Sequence, residues 1–275
     1  MSTAVAQAPT HHSSLGHLNF ARVVRSEWIK FRSLRSTFWT YAVVLILGLG
    51  MTALVAFSFP ASQINQIPPE ARATFLVSTA SFGVLFGQLA VAVLGVLVIS
   101  GEYSTGMIRS SFAAVPRRTP IFVAKSIVLF VCSFLIGVVT TAAGYAIAAP
   151  VLSGKGFPVD FTAGTVWSIL GGGLYLGLVS VFALGLGTIL RAAAGGIAAA
   201  LGVVFLLPII IGIVNSLVSL DWLKHVPEYL ISSAGQGLAG SSNAGFEPWQ
   251  NVLVVVVWTA VSFIAGALVL KRRDA

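Results

Sequence analysis

The sequence predicts an all-α integral membrane protein with six transmembrane helices. Of its 275 residues, 57% are hydrophobic and only 9% are charged, whereas soluble globular domains carry about 25% charged residues. Six apolar runs are each long enough to cross a bilayer, which takes about twenty residues in a helix. These runs show no period-2 alternation of apolar and polar residues, which disfavours the strands of a membrane β-barrel.

The six predicted spans follow directly from these apolar runs. They cover residues 38–59, 75–99, 121–149, 166–190, 192–218 and 252–270. Helices are required because lipid offers no partner for an unpaired backbone group. Arg191 alone separates the fourth and fifth runs, so the chain is predicted to turn there, with Gly187, Gly195 and Gly196 supplying the flexibility.

The residues before the first span divide into a tail and a helix. Residues 1–17 are small and polar and are expected to form a disordered tail. Residues 18–37 predict an interfacial helix, with its apolar stripe in lipid and its basic residues on headgroups. The stripe consists of Leu18, Ala21, Val24, Trp28 and Phe31; the predicted interfacial residues are Trp28, Lys30, Arg32 and Arg35. An ordinary basic flank without a helix is the alternative.

The distribution of charge predicts the orientation of the chain. With six spans, both termini and the loops on their side contain thirteen basic and three acidic residues, and the other side contains three basic and five acidic residues. Short cytosolic loops are enriched in Lys and Arg. Both termini and the segment 101–118 are therefore expected in the cytosol.

Several classes of function are disfavoured by what the sequence lacks. It has no phosphate-binding loop, no serine-hydrolase or zinc-protease motif, and no cluster of Cys and His with metal-ligand spacing. Cys132 is the only cysteine, and the predicted spans contain no Asp or Glu, which disfavours a proton-coupled transporter. The basic residues flank apolar runs and form no groove for nucleic acid. If the protein moves a substrate uphill, a separate chain must supply the energy.

Segment 101–118 is a polar, basic island between the second and third spans. Ser104 and Thr105 are candidate helix caps, and Pro116 is expected to end a short helix that lies parallel to the membrane. On the opposite side, residues 215–249 are too long for a tight turn and partly apolar. Short re-entrant or interfacial helices are expected there, with an irregular hydrated loop as the alternative.

Two motif regions together resemble the permeases of ABC transporters of the type 2 exporter class, in particular actinobacterial members. They read Ser26-Glu27-Trp28-x-Lys30-Phe31-Arg32-Ser33-x-Arg35-Ser36-Thr37, and Gly101-Glu102-Tyr103-x-x-Gly106-Met107-Ile108-Arg109 followed by Pro116-Arg117-Arg118 and Lys125. Met107 departs from many such members, which have Thr at this position. The resemblance covers the whole six-span layout and implies a single permease domain over residues 18–275.

The resemblance also implies a mechanism and partners. Segment 101–118 would be a cytosolic coupling helix on which separate ATPase subunits act, and its expected ATPase-contacting residues are Glu102, Tyr103, Met107, Ile108, Arg109 and Phe112. Arg117 and Arg118 are expected mainly at lipid headgroups. Two such permeases would pair, as a homodimer or heterodimer, with two ATPases, and the substrate path would lie between their second and fifth spans.

The function predicted on this basis is the permease subunit of an ATP-driven exporter in a bacterial cell membrane. The chain itself would be non-catalytic and bind no cofactor or metal, while ATP and Mg²⁺ would be bound by the partner ATPase. Two other classes of function remain open at this point: a membrane scaffold that recruits cytosolic proteins without transport, and a transporter driven by an ion gradient.

Overall fold

The computed structural model describes residues 19–107, 118–157, 159–218, 220–241 and 245–272. The described residues contain ten α-helices and no strand. The helices are α1 (Phe20–Ser33), α2 (Arg35–Ser58), α3 (Pro69–Ala80), α4 (Phe82–Ser104), α5 (Arg118–Ser153), α6 (Ala163–Leu190), α7 (Ala193–Leu201), α8 (Leu207–Leu217), α9 (Ile231–Leu238) and α10 (Pro248–Arg272). Six helical segments of this part of the chain are long and apolar enough to cross a membrane, which confirms the predicted all-α membrane class.

The N-terminal helix and the first span are separate elements. Asn19 caps α1, and its side chain accepts a hydrogen bond from the backbone N–H of Ala21. Leu34 has extended backbone angles and ends α1, and α2 starts at the next residue. Because one extended residue reorients the chain, α1 lies beside the spans instead of extending the first of them.

The second span is longer than predicted and is interrupted near its start. It consists of α3 and α4, which meet at Ser81. The Ser81 hydroxyl donates to the carbonyl of Val77 in α3, 2.9 Å away, and lies 2.6 Å from the carbonyl oxygen of Ala239. Ser81 therefore joins the interruption to the segment that follows α9.

Helix α6 is the centre of the bundle, packed against α4, α5, α7, α9 and α10. Small residues allow this packing: a Cβ on Gly137 of α5 would lie 2.8 Å from Cα of Gly173 in α6. Deep in the bundle, the Tyr175 hydroxyl of α6 donates a hydrogen bond to Oε1 of Gln88 in α4, and both side chains are buried. This bond satisfies two polar groups that lipid would leave unpaired.

The turn between the fourth and fifth spans is made by Arg191 itself, so the glycine-based prediction for this turn was wrong. Arg191 has a left-handed backbone, with φ of 55°, and its N–H donates to the carbonyl of Gly187. Gly187 and Gly196 instead allow close packing on α4, because a Cβ on either would lie within 3 Å of Ile99 or Val96 side-chain atoms. The fifth span comprises α7, a π-helical turn at Gly202–Leu206, and α8.

The segment before the last span folds back into the bundle, as predicted. A 3₁₀ helix covers Asp221–Tyr229 and is followed by α9. The Trp258 indole donates to the carbonyl of Tyr229 at 2.9 Å, and Trp258 lies about 15 Å along α10 from Pro248 at 1.5 Å per residue. Gly235 of α9 contacts the ring of buried Tyr175. These short helices are therefore re-entrant.

Both described ends of the chain lie at the same end of the bundle. Phe31 of α1 and Leu270 of α10 belong to one buried apolar cluster, together with Leu94, Phe122 and Leu184. This end is called the basic end here, because it carries the following basic residues: Arg22, Arg25, Lys30, Arg32, Arg35, Lys125, Arg191, Lys271 and Arg272.

Candidate functional site

The candidate site is the basic end where α1, α4 and α5 meet, beside the predicted coupling segment. Helix α4 ends at Ser104 and α5 begins at Arg118. The predicted short helix falls mostly on residues 108–117, which lie outside the described residues, as do the predicted site residues Ile108, Arg109, Phe112 and Arg117. The side chain of Arg118 is also outside the described part.

Residues 104–107, which precede the first residue outside the described part, form the end of α4 and the turn after it. The hydroxyls of Ser104 and Thr105 donate to the carbonyl of Gly101, at 3.0 and 2.8 Å, so they close the preceding helix. Gly106 then takes a left-handed conformation, with φ of 70°. Met107 follows with 45% of its surface exposed, which leaves it accessible at the start of the predicted coupling segment.

Four charged side chains form a cluster, here called the four-charge cluster, that joins α1, α4 and α5. Its members are Glu27 and Lys30 of α1, Glu102 of α4 and Lys125 of α5. Lys125 Nζ lies 2.6 Å from Glu27 Oε2 and 2.9 Å from Glu102 Oε1. Lys30 Nζ lies 3.0 Å from Glu27 Oε1 and 3.4 Å from Glu102 Oε1.

Burial makes the four-charge cluster a strong structural constraint. Glu27, Glu102 and Lys125 are each at most 6% exposed. Removing a charge from water costs several kcal/mol, which its partners must offset. With two carboxylates and two ammonium groups the cluster is formally neutral. Loss of one member would leave an uncompensated buried charge, so α1, α4 and α5 are held in one arrangement.

The charge state of Lys30 is reinforced by this environment. Burial on its own lowers the pKa of Lys30, but the hydrogen bond to Glu27 and the negative charges of Glu102 and Glu27 outweigh it. The pKa of Lys30 therefore lies above its usual value. Lys30 was predicted to bind headgroups; the structure adds its pairing with both carboxylates.

The buried face of α1 differs from the predicted one. Val23, Glu27 and Phe31 are its buried residues, and Val23 packs against Ile121 and Ala124 of α5. Phe31 was expected in lipid but is 5% exposed and packs among the spans. The reason is Glu27: its carboxylate turns the buried face of α1 towards Lys125. Trp28, Arg32 and Arg35 are exposed, as an interfacial position requires.

Glu102 and Tyr103 were both predicted to contact the ATPase, but neither side chain is fully exposed. Glu102 is 6% exposed and held by both lysines. Tyr103 is half-buried, and the guanidinium carbon of Arg191 lies 5.2 Å from its ring centroid, within the range of a cation–π contact. Arg191 thus links the turn after α6 to the end of α4.

Sequence reasoning did not identify Glu27 and Lys125 as site residues. One signal was available: Lys125 stands inside an apolar run, and an ionisable residue in a span generally faces the bundle interior and has a partner. Its partner Glu27 is 98 residues away in sequence. Choosing between the available carboxylates therefore required the fold.

Comparison with known proteins bears on this arrangement. No curated protein matches the chain. The family described as ABC-2 family transporter protein matches residues 23–219, a range that includes the four-charge cluster, the predicted coupling segment and the first five spans. The match covers well over half of the sequence. The chain therefore belongs to the ABC-2 family of transporter proteins.

Proposed function

We propose that this chain is the permease subunit of an ATP-driven exporter, and that segment 101–118 is where separate ATPase subunits act on it. Membership of the ABC-2 family supports a membrane subunit of an ABC transporter, and such subunits are generally non-catalytic. ATP and Mg²⁺ would be bound by the ATPase chains. The four-charge cluster is the observation that carries the coupling proposal.

The four-charge cluster gives the segment a rigid connection to the spans. Glu102 lies in the last turn of α4, at the start of the segment, and Lys125 lies in the second turn of α5, shortly after the segment ends. Both residues share contacts with Glu27 or Lys30 of α1. A displacement of the segment would therefore move α1, α4 and α5 together.

Within this proposal the predicted contact residues take separate roles. Exposed Met107, together with Ile108, Arg109 and Phe112, would touch the ATPase. Glu102 would position the segment from inside the four-charge cluster, and Tyr103 would hold it against Arg191. Trp28, Arg32 and Arg35, with Arg117 and Arg118, would anchor the same end in the headgroup layer.

The charge distribution supports a cytosolic basic end, with both termini inside the cell. Lipid-exposed apolar residues on the fifth span leave room for a second permease copy or a related chain: Phe205, Ile209, Ile210, Ile213 and Leu217 are all more than 40% exposed. Two permeases with two ATPases, and a path between their second and fifth spans, complete the proposed assembly.

The test first asks whether a phosphate-loop ATPase is encoded beside this chain's reading frame, and uses that ATPase as the partner. The two chains are co-expressed, purified together and placed in lipid nanodiscs, and ATP hydrolysis is measured. We expect a stable complex, and we expect Met107→Asp and Arg109→Glu each to lower hydrolysis or release the ATPase. Lys271→Glu at the exposed end of α10 is the matched control at the same membrane face. If all three variants bind the ATPase and support hydrolysis equally well, the proposed docking segment is wrong.

A further inference from the structure

A groove of about 380 Å³ lies on the outer surface of the bundle, between α1, α2 and α5. Trp28 and Arg32 of α1 form one end of it, and Arg32 is the one charged side chain among the described residues that line it. Most of its walls are apolar; they include Phe38 and Tyr41 of α2 and Leu135 and Val139 of α5. The groove therefore has one basic end and a largely apolar length.

The length of α2 sets the depth of this groove in the membrane. Helix α2 has 24 residues and is about 36 Å long, only slightly more than the hydrocarbon core of about 30 Å. Its first residue, Arg35, therefore lies at the membrane boundary, and Tyr41 lies about 9 Å further along the helix. The Tyr41 hydroxyl is 3.0 Å from the hydroxyl of Ser133 in α5. Helix α5 also starts at the basic end, so Val139 lies about 9 Å deeper than Ser133. The groove thus runs from the boundary into the apolar core.

The apolar length of the groove is open to an acyl chain. Phe38, Leu135 and Val139 are each more than half exposed, so their side chains are accessible to a ligand from outside the bundle. At this depth the surrounding solvent is hydrocarbon. Trp28 at the outer end is also exposed, and tryptophan is enriched at the level of the headgroups. The groove therefore suits a molecule whose apolar chain starts at the headgroup level.

The basic end of the groove restricts the charge of that molecule. Arg32 is exposed and has no ion-pair partner among the described residues. The described carboxylates of the basic end, Glu27 and Glu102, are buried and held by Lys30 and Lys125. The charge of Arg32 is therefore not neutralised by the described part of the chain. A guanidinium binds phosphate oxygens through two N–H groups at once, so an anionic phosphate is the complementary group.

We propose that this groove is a site for one anionic phospholipid from the leaflet at the basic end. The phosphate binds Arg32, and one acyl chain lies between α2 and α5. A lipid of zero net charge such as phosphatidylcholine is a poorer ligand, because its own cationic group is repelled by Arg32. This is a defined site with a single selecting residue, beyond a general attraction of headgroups to the basic end. It does not depend on the transport activity proposed above.

A second copy of the chain is the competing occupant. Two copies related by an axis along the membrane normal have their basic ends on the same side. The described carboxylates of that end, Glu27 and Glu102, are already buried in the four-charge cluster, so a second copy brings no described carboxylate to Arg32. Placing Arg32 in an apolar interface without an anion is costly. An anionic lipid supplies both the charge and the apolar surface.

The test is photo-cross-linking of lipid to the full purified chain in nanodiscs of equal parts phosphatidylglycerol and phosphatidylcholine. A trace of either lipid carries a diazirine at the same mid-chain carbon, and adducts are mapped by mass spectrometry. Val261 and Ile264 of α10, which are exposed and do not line the groove, report unselected lipid. We expect the ratio of phosphatidylglycerol to phosphatidylcholine adducts on residues 132–139 to exceed the α10 ratio about fivefold, the factor that one basic residue adds near the membrane surface. Equal ratios overturn the proposal. Absence of both adducts from residues 132–139 also overturns it and indicates that protein covers the groove.

Two arginine variants separate this site from the general charge of the basic end. Arg25 is exposed on the same face of α1, about two turns before Arg32, and does not line the groove. The separation along the helix is about 10 Å, which is about one Debye length. Arg32→Gln and Arg25→Gln remove the same charge from exposed positions. We expect Arg32→Gln to abolish the excess of phosphatidylglycerol adducts on residues 132–139 and Arg25→Gln to retain it. An equal loss in both variants, or no loss in Arg32→Gln, contradicts a site selected by Arg32.

Discussion

The ammonium group of Lys125 lies 2.6 Å from Oε2 of Glu27, although the two residues are 98 positions apart in the chain. This pair connects an interfacial helix to the third span at the point where the predicted coupling segment ends. Because both side chains are almost fully buried, the contact constrains how α1 sits on the bundle.

Replacement of Lys125 by Met is expected to destabilise the protein strongly. Among the described residues, the variant leaves the buried Glu27 and Glu102 with Lys30 as their one basic partner, and loss of one member of a buried pair typically costs about 3–5 kcal/mol. Reversible unfolding in mixed micelles measures the difference in free energy. Lys271→Met, at an exposed position on α10, should change it by less than about 0.5 kcal/mol.

A double variant checks the physical reason for that loss. If uncompensated charge causes it, Glu27→Leu combined with Lys125→Met should be more stable than Lys125→Met alone, because one buried carboxylate is removed with its partner. Two losses that simply add would contradict a direct interaction between the residues.

The attachment of α1 to the spans should weaken at alkaline pH, because Lys30 loses the positive charge that pairs it with Glu27 and Glu102. The pKa of Lys30 is raised in the folded protein above its usual 10.5, so its contribution is fully present below pH 10.5 and is lost as the pH rises through the higher folded value. Thermal stability in detergent is followed from pH 8 upward. The difference between the unmodified chain and Lys30→Met should shrink only above about pH 10.5; a constant difference across the range would refute the assignment.

The spans were predictable because local composition determines them, whereas the site depended on contacts that sequence spacing does not contain. Any run of about twenty apolar residues must form a helix in lipid. The choice of Glu27 as partner of Lys125, by contrast, depends on how α1 docks against α5. A turn at Arg191 was predicted, but it was assigned to the nearby glycines because glycine is the usual residue at positive φ; Gly187 and Gly196 instead serve helix packing.

Gly235 of the re-entrant helix is expected to tolerate no side chain. A Cβ at this position would overlap the ring of Tyr175, whose hydroxyl satisfies Gln88. Gly235→Ala should therefore destabilise the bundle by about 1–3 kcal/mol through overpacking. Gly212→Ala in α8, where nothing lies within 4 Å of the new Cβ, is the control. Unfolding in mixed micelles that shows equal stability of the two variants would contradict the predicted overlap.

Lys155 is expected to stabilise the end of the first span. Its ammonium donates to the carbonyls of Ala56, Phe57 and Phe59, at 2.9, 2.6 and 2.8 Å, which are acceptors left free at the end of α2. Lys155→Met should cost about 2 kcal/mol when unfolding is measured as above. Lys224, which forms an exposed ion pair with Asp221, provides the control: Lys224→Met should be nearly neutral.

Arg191 can affect stability in two ways, through the strain of its left-handed backbone and through the contacts of its side chain, and two variants separate these effects. Arg191→Ala and Arg191→Gly both remove the contact with the Tyr103 ring, but only Ala retains the strain of φ at 55°. Because glycine adopts this conformation without steric cost, Arg191→Gly should be more stable than Arg191→Ala by about 1 kcal/mol. Unfolding of both variants in the same mixed micelles measures this difference. A variant with Ala as stable as the one with Gly would show that the turn relaxes to a different backbone when the arginine is lost.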